Sequence, residues 1–289
     1  MKEWMGLGEL LNPKVDFVFK QIFGSEDHQD VLLSFLNAVF EDAGQPLVTH
    51  VEILNPFLEK DALSDKMSVL DVKARTEAGV LVDIEIQLQN RRNMEQRTLF
   101  YWAKLFQGQS SEGDSYRALH KAVTVNVLDF DYLATERCHS TFHLHEDVTG
   151  LMLTDLLEVH FVELRKLKAH SAALGRHLAR WMLFLTTKTR EGLEALAMEE
   201  PAMQKALTTL EFLSQDERAR QLYEDRQKAL MTYTADIDGA REEGREEGEQ
   251  IGIKKVALAL LDAGDSVEKV MQMTGLSRAA VEALKPHQD

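Results

Sequence analysis

Apolar residues recur along the first 170 residues with two different spacings. Spacings of three and four residues are typical of helices that bury one face, and strict alternation is typical of half-buried strands. Helical spacing occurs in "KVDFVFKQIFG", "DHQDVLLSFLNAVFEDAG" and "NMEQRTLFYWAKLFQGQ". Alternation occurs in "LVTHVEILNP", "SVLDVKARTEAGVLVDIEIQLQ", "HKAVTVNVLDF" and "LTDLLEVHFVELRKL", and the second of these predicts a hairpin that turns at residues 77–79. In the third helix we expect Met94, Leu99, Trp102 and Phe106 to face a core.

After about residue 168 the pattern predicts helices alone. Glycine at positions 239, 244, 248 and 252 in a charged background predicts a weakly helical connector, extended or coiled-coil-like. Three short helices follow; Asp265 with Glu268 is a candidate capping box for the second, and Ser277 a candidate cap for the third. We therefore predict a mixed α/β domain (residues 1–170), a helical region (171–235), a connector (236–255) and a small helical module (256–289).

Composition narrows the class of protein. The chain has 289 residues, 44% of them hydrophobic, which is enough for a real core. Its only cysteine, Cys138, cannot form an internal disulfide, and neither a secretory signal nor a membrane span is visible, so we expect a cytoplasmic protein. The net charge of −15 argues against a protein that coats nucleic acid by bulk electrostatics, although it allows local phosphate contacts.

The hairpin carries the candidate chemistry. Its second strand alternates, with Asp83, Glu85 and Gln87 on the face opposite the apolar residues, and its first strand begins at Asp71. A turn at 77–79 places Asp71 roughly opposite Glu85, and side chains paired in this way lie about 5 Å apart at Cβ. Two carboxylates at that distance repel each other unless a positive charge lies between them. Mg²⁺ binds such oxygen ligands, and a bound ion can acidify water and neutralise charge on a phosphodiester.

These residues resemble the core of the PD-(D/E)XK nucleases, in which an Asp on one hairpin strand and E-x-K or E-x-Q on the next bind Mg²⁺. The segments "NPKVDFVFKQIFGSEDHQDVLLSFLNAVF", "SVLDVKART", "VDIEIQLQ", "RTLFYWAKLF" and "LEVHFVELRKL" are similar to the Rpn family of recombination-promoting nucleases, also called PD-(D/E)XK family transposases. The tail "LLDAGDSVEKVMQMTGLSRAAVEAL" also resembles that family, while residues 170–235 resemble it least.

The resemblance implies a restriction-endonuclease-like core, with a mixed sheet flanked by helices. It also implies Mg²⁺-dependent DNA cleavage, with Mn²⁺ or Ca²⁺ as alternative ions, and a link to recombination or mobile elements. Asp71 and Glu85 would bind the metal together with the backbone carbonyl of Ile86. Asp16 matches the acidic position on the first helix that assists the metal site, and Lys20, one turn later, would face the same cleft.

Gln87 stands where the wider superfamily carries Lys, and Gln is typical of the Rpn group. An amide can orient water or phosphate, but it cannot supply a positive charge or act as a base. Lys73, on the same face as Asp71, is the candidate for that charge. Arg97 and Tyr101 match the helix after the hairpin, where a phosphate contact is expected.

Other interpretations stay open. Acids on a hairpin are usually a solvent-exposed face, and the chain could be a catalytically inactive relative that binds DNA or protein. Cys138, His139, His143 and His145 in "RCHSTFHLHE" invite a zinc interpretation, but their spacing matches no common zinc site. The C-terminal helices could read DNA as a helix-turn-helix, or they could form a protein contact or a homo-oligomer.

Overall fold

The structure, a computed structural model, describes residues 10–54, 72–111, 113–170 and 174–284. The chain divides into two compact units, residues 1–224 and residues 225–289. Among the helices that the structure describes, none combines the length and the apolar character needed to cross a bilayer.

A mixed sheet forms the centre of the first unit. Its described strands are β1 (Val51–Ile53), β2 (Val72–Thr76), β3 (Leu81–Gln87), β4 (Ala122–Leu128), β5 (His139–His145) and β6 (Met152–Glu163). Their order across the sheet is β1-β2-β3-β4-β6-β5. The central strands β3, β4 and β6 run parallel, and the outer strands pair antiparallel. This arrangement confirms the predicted mixed α/β fold class.

Helices pack on both faces of this sheet. The described helices of the first unit are α1 (Asp16–Phe23), α2 (Gln29–Asp42), α3 (Met94–Gln107), α4 (Leu167–His170), α5 (Arg176–Thr186), α6 (Arg190–Ala197) and α7 (Pro201–Gln215). Short 3-10 turns in the same part of the chain cover Glu26–His28, Tyr116–Ala118 and Leu164–Lys166. The helix α3 joins the parallel strands β3 and β4, as a crossover between parallel strands requires.

The main core lies between one face of the sheet and the helices α1, α2 and α5–α7. Trp181 on α5 is its largest fully buried side chain, with ring centroids 5.4 Å from Phe23 and 6.0 Å from Phe35. Rings at these separations contribute beyond the area that they bury. Val82, Ile84 and Ile86 point into the same core. The alternating face of β3, with Asp83 and Glu85, therefore points to the opposite side of the sheet.

The opposite side of the sheet is covered by α3. Thr98 of α3 bonds through its hydroxyl to Thr124 of β4 at 3.0 Å, and the indole N–H of Trp102 donates to the carbonyl of Ala122 at 2.9 Å. The prediction that Leu99 faces a core was wrong, because its side chain is 50% exposed. The buried positions of this helix are Met94 and Thr98, so the helix presents a narrower and partly polar face to the sheet.

The long helix α8 (Glu217–Asp262) begins in the first unit and continues into the second. It includes all of the predicted connector, residues 236–255, so these residues are helical and the extended alternative was wrong. Arg245 forms ion pairs with Glu242 at 2.6 Å and with Glu249 at 3.8 Å along the helix. Pairs at this spacing offset part of the low helix propensity of glycine.

The second unit ends in a small helical module that the sequence predicted. The end of α8 packs with α9 (Val267–Thr274) and α10 (Arg278–Glu282) around Ala257, Val270 and Val281. Ser277 caps α10 as predicted, since its hydroxyl accepts from the N–H of Ala280 at 3.3 Å. The capping box predicted at Asp265 was wrong by one position.

The residue that caps α9 is Ser266, whose hydroxyl accepts from the backbone N–H of Lys269 at 3.3 Å. Asp265 instead accepts a hydrogen bond from the ammonium of Lys269 at 2.7 Å. The Asp265 carboxylate is thus used in a side-chain ion pair one turn away, and the serine hydroxyl takes the backbone bond.

Candidate active site

The hairpin of β2 and β3 has the register that the sequence predicted. Val72 pairs with Ile84 and Lys73 pairs with Asp83. The turn between the strands contains Gly79 at φ +81°, a left-handed conformation that suits glycine. Asp71, the first predicted metal ligand, lies outside the described residues.

Glu85 is the central carboxylate of the site among the described residues. Only 4% of it is exposed, so the usual interpretation of a hairpin acid as part of a solvent-exposed face does not apply. The adjacent Asp83 is also buried, at 1% exposed. A carboxylate held away from water needs a positive charge or several hydrogen bonds nearby. Arg97 on the helix α3 supplies that positive charge.

Arg97, in the first turn of α3, forms a bidentate ion pair with Glu85. Its Nε donates to Oε2 at 2.8 Å and its Nη2 donates to Oε1 at 3.3 Å. The guanidinium also lies 5.1 Å from the ring centroid of Tyr101, one helical turn further on. The two residues that we predicted as phosphate contacts are therefore brought next to the predicted metal ligand, and their contact with a substrate remains a prediction.

The remaining residues of the E-x-Q motif lie at the carboxyl end of β3. Ile86 turns its side chain into the main core and is 7% exposed. Gln87 is half-buried, and its backbone carbonyl accepts from the N–H of Asp129 at 2.9 Å. Gln87 is the last residue of β3, so its amide lies at the carboxyl end of this inner strand. The assigned roles of Ile86 and Gln87 remain predictions.

The start of α1 lies beside this end of β3. The Lys14 ammonium pairs with Asp129 at 2.9 Å, which ties the residues before α1 to the residue that bonds Gln87. Asp16, two positions later, is half-buried, and its carboxylate accepts from the N–H of Phe17 at 2.8 Å. These contacts place the residues just before Asp16 near the end of β3, and the assisting role of Asp16 stays a prediction.

Lys20 is buried, with 9% of it exposed, beside the beginning of β2. A Cβ built on Gly24 would lie 3.1 Å from Lys20 Cγ and 3.3 Å from Val72 Cγ2, so the three residues meet closely. Lys73 is half-buried and lies opposite Asp83, on the face that carries Glu85. Diagonal neighbours on one face of a hairpin are about 7–8 Å apart. Lys73 therefore lies on the face of Glu85, whereas Lys20 lies beside Val72, whose side chain belongs to the main core. The roles of both lysines stay predictions.

The sequence analysis missed a buried polar group beside Glu85. Asn126 pairs with Glu85 across the parallel strands, and its amide donates to the hydroxyl of Thr98 at 2.9 Å and to the carbonyl of His160 at 3.0 Å. Thr124 completes the group by its bond to Thr98. The signal was present, because Thr124 and Asn126 interrupt the valines of "AVTVNVL" on the face of Glu85. The group fixes α3, and hence Arg97, against the sheet.

An oxygen-binding divalent ion fits this donor set. A buried carboxylate already neutralised by a cation shows that a positive charge is required at Glu85, and carboxylate, carbonyl and amide oxygens are the ligands that Mg²⁺ prefers. Within the described ranges, no group of three or more His, Cys, Asp or Glu side chains converges to hold a metal. Asp71 is outside those ranges, and the predicted site needs it.

The histidines of "RCHSTFHLHE" bind carboxylates and backbone instead. Asp42 Oδ2 lies 2.6 Å from His139 Nδ1, His139 Nε2 lies 2.9 Å from His160 Nδ1, and His160 Nε2 lies 2.6 Å from Glu158 Oε1. We call these four residues the buried relay. His143 Nε2 lies 2.7 Å from the other oxygen of Glu158.

The pKa values of Glu158, Asp42 and His160 in the buried relay are all lowered. Burial alone would raise the pKa of the Glu158 carboxyl, but hydrogen bonds and charge from His160 and Lys121 hold that pKa well below its ordinary value. Burial likewise opposes ionisation of Asp42, and the bonds from His139 and the Gly175 N–H hold its pKa below the ordinary value. Burial lowers the pKa of His160. Two ionised carboxylates therefore flank the imidazole pair.

A mixed sheet covered by helices on both faces, with the E-x-Q motif on a central hairpin strand, is consistent with the PD-(D/E)XK fold. A family model described as PD-(D/E)XK nuclease family transposase matches residues 13–240, and the chain belongs to this family. No curated protein and no solved structure matched the chain. The family supports a nuclease-like function with DNA as the substrate, and nucleases of this kind generally use divalent metals.

Proposed function

We propose that this protein is a Mg²⁺-dependent DNA endonuclease that hydrolyses phosphodiester bonds at the hairpin, in recombination or in mobile elements. The observation that carries the proposal is the buried, cation-bound carboxylate of Glu85, at the motif position where the resemblance implies a metal ligand. The register supports it, because 71 and 85 are the next positions in the sequence outward from the Val72–Ile84 pair.

In the proposed site, Asp71, Glu85 and the carbonyl of Ile86 would hold the divalent ion. When bound, that ion would supply an acidified water and would neutralise charge on the scissile phosphate. Glu85 is fixed for this task by the rigid central strand β3, and Asn126 and Thr98 hold the helix that faces it. Sites built on central strands keep their geometry better than sites on loops.

The remaining residues would orient and neutralise the substrate. The Gln87 amide donates and accepts hydrogen bonds, so it would orient a water or a phosphate oxygen at the carboxyl end of β3. Lys73 and Lys20 would supply the positive charge that Gln87 lacks. Asp16 would assist at the same end. Arg97 and Tyr101 would contact a phosphate from the helix side of the cleft.

The charge of the chain fits local rather than extensive contact with DNA. With a net charge of −15, affinity would come from a few cations at the cleft and would fall steeply with salt. A cytoplasmic location is part of the proposal, since a lone cysteine is typical of proteins from reducing compartments. A homo-oligomer through the C-terminal helices stays a prediction.

Cleavage of supercoiled plasmid DNA tests the proposal. The parent should nick or linearise the plasmid with Mg²⁺ and stop when chelator is added. Asp71→Asn and Glu85→Gln should each reduce the rate at least about a hundredfold, because the ion supplies several kcal/mol of charge stabilisation. Glu52→Gln is the matched control, since Glu52 is an exposed, ion-paired glutamate on β1 of the same sheet, and it should cut at the parental rate.

Two results would contradict the proposal. If the folded Asp71 and Glu85 variants cut as fast as the parent, the site is misassigned. If the parent does not cut with Mg²⁺ or Mn²⁺ but retains DNA, and the double variant retains DNA equally well, the chain is a binding module without catalysis.

A further inference from the structure

Arg97 occupies the part of Glu85 that a metal ion would use. A carboxylate offers about four lone-pair sites on its two oxygens. The Arg97 guanidinium donates to both oxygens, from Nε to Oε2 at 2.8 Å and from Nη2 to Oε1 at 3.3 Å. A fork of this geometry takes the two lone pairs that face the same side of the carboxylate. A cation approaching from that side meets the guanidinium first.

The ion pair also stabilises the fold. The Glu85 side chain is 5% exposed and that of Arg97 is 18% exposed. A carboxylate buried to this degree is strongly destabilising when its positive partner is removed. Arg97 therefore supplies the positive charge that the carboxylate requires when no metal ion is bound.

We propose that Arg97 is an internal counter-ion that competes with the divalent cation for Glu85 and leaves this carboxylate when the cation binds. The inference rests on the proposed function of the site. Two positive charges within a few ångströms repel each other strongly even at the effective dielectric of a protein. Arg97 and a divalent ion therefore cannot both hold the same side of Glu85 without a large loss of affinity.

The contact of Arg97 with the Tyr101 ring would hold the guanidinium beside the site after it leaves Glu85. The ring lies one helical turn beyond Arg97, and the guanidinium carbon is already 5.1 Å from the ring centroid. Stacking on an aromatic face stabilises a guanidinium at a partly exposed position. From there Arg97 is available to a substrate phosphate. Arg97 would thus oppose metal binding in the absence of DNA and favour the charged substrate once the metal is present.

Calorimetric titration of the full chain with Mn²⁺, without DNA, tests the inference. Arg97→Gln should lower the dissociation constant for Mn²⁺ by about tenfold or more, because it removes the competing charge. Arg97→Lys keeps the charge but loses the fork, and it should fall between the parent and Arg97→Gln. The matched control is Arg190→Gln, which removes an arginine that pairs with Glu194 at the same 2.8 Å, and it should leave the Mn²⁺ affinity unchanged.

The melting temperature is a second measurement, which reports the stability of the variant. Mn²⁺ should raise the melting temperature of Arg97→Gln more than that of the parent, because the ion replaces the lost positive charge. If Arg97→Gln does not fold alone, refolding with Mn²⁺ should recover it, and failure to recover would count against the inference. Plasmid cleavage by Arg97→Gln should fall even though its metal affinity rises.

The outcomes separate the inference from the proposed function. Equal or weaker Mn²⁺ binding by Arg97→Gln, with a parent that binds Mn²⁺ through Glu85, would overturn the inference alone. A parent that takes up no Mn²⁺ and behaves like its Glu85→Gln variant would overturn the metal site, and the inference with it.

Discussion

His139 Nε2 lies 2.9 Å from His160 Nδ1, and each imidazole turns its other nitrogen towards a carboxylate. An ionised carboxylate can only accept hydrogen bonds, so His139 Nδ1 and His160 Nε2 both donate outward. Two neutral rings would then face each other with two acceptors at hydrogen-bond distance. One additional proton must lie between them. We therefore assign one additional proton to the imidazole pair as a unit, with Asp42 and Glu158 on either side of it.

This assignment predicts acid sensitivity at the β5–β6 edge of the sheet. The Glu158 and Asp42 pKa values are lowered in the folded state, so their stabilisation is present above the unfolded carboxyl pKa of about 4 and is lost as the pH falls below it. Glu158→Gln should lower the free energy of unfolding at pH 7 by about 3–5 kcal/mol, since it leaves Lys121 without its charge partner and weakens the hydrogen bonds of His160 and His143.

Urea denaturation of the parent and of Glu158→Gln between pH 7 and pH 3 measures this. The parent should lose stability towards pH 3 more steeply than the variant. A variant whose stability falls in parallel with the parent would show that Glu158 titrates alike in the folded and unfolded chains, against the assignment.

His177 should give a pH dependence of opposite sign. Its hydrogen bond to Glu200 raises the pKa of His177, with burial opposing and Glu41 adding a further favourable contact. A raised folded pKa gives stabilisation that is complete below the unfolded histidine pKa of about 6.5 and is lost as the pH rises through the folded value.

The imidazole is partly exposed, so solvent screening limits the effect to roughly 1 kcal/mol or less. His177→Gln should remove the loss of stability between pH 6 and pH 9 in thermal melts. His145→Gln is the control, because His145 bonds only to the Gly150 carbonyl among the described partners and should leave that slope in place. Identical slopes in the parent and in His177→Gln would refute the prediction.

A lysine at position 87 should be able to replace the positive charge of Lys73. If Lys73 supplies the charge that a lysine at position 87 would otherwise provide, Lys73→Gln should reduce plasmid cleavage by about tenfold to a hundredfold. Adding Gln87→Lys to that variant should restore much of the rate. Both positions are half-buried, so the substitutions should be tolerated by the fold. Cleavage rates of the two single variants and the double variant at saturating Mg²⁺ form the measurement.

The double variant decides the outcome. A rate for Lys73→Gln/Gln87→Lys as low as that of Lys73→Gln alone would mean that charge at 87 cannot replace Lys73. A parental rate for Lys73→Gln would remove Lys73 from the site, and Lys20 would take its place as the candidate.

Much of the fold could be predicted from local periodicity. Phe19, Ile22 and Phe23 marked the buried face of α1, and the alternation in β3 separated its core face from its motif face. Periodicity did not predict that the motif face is buried. That face is covered by α3, which is held to the sheet by the bond between Thr98 and Asn126 of β4. The same limit explains the wrong expectation for Leu99, since a helix pattern gives an apolar face but not the angle at which the helix packs.

The buried relay was beyond prediction for a different reason. Its four residues come from the end of α2, the edge strand β5 and the neighbouring strand β6, and no spacing in the sequence connects Asp42 to His160. The candidate site was proposed from the resemblance, which implies metal ligands at fixed positions of one hairpin, and the roles of its residues stay predictions. The contact between Arg97 and Glu85 was not predicted, since no spacing along the chain indicated that this arginine would pair with Glu85.

Crystals of the protein grown with Mn²⁺ test the central claim most directly. An anomalous difference map should show one strong peak at bonding distance from the carboxylates of Asp71 and Glu85 and from the Ile86 carbonyl. The Arg97 guanidinium should have left Glu85 in that crystal. The account would be contradicted by a map that shows Mn²⁺ bound at other positions but no peak between residues 71 and 85, with Arg97 still paired with Glu85.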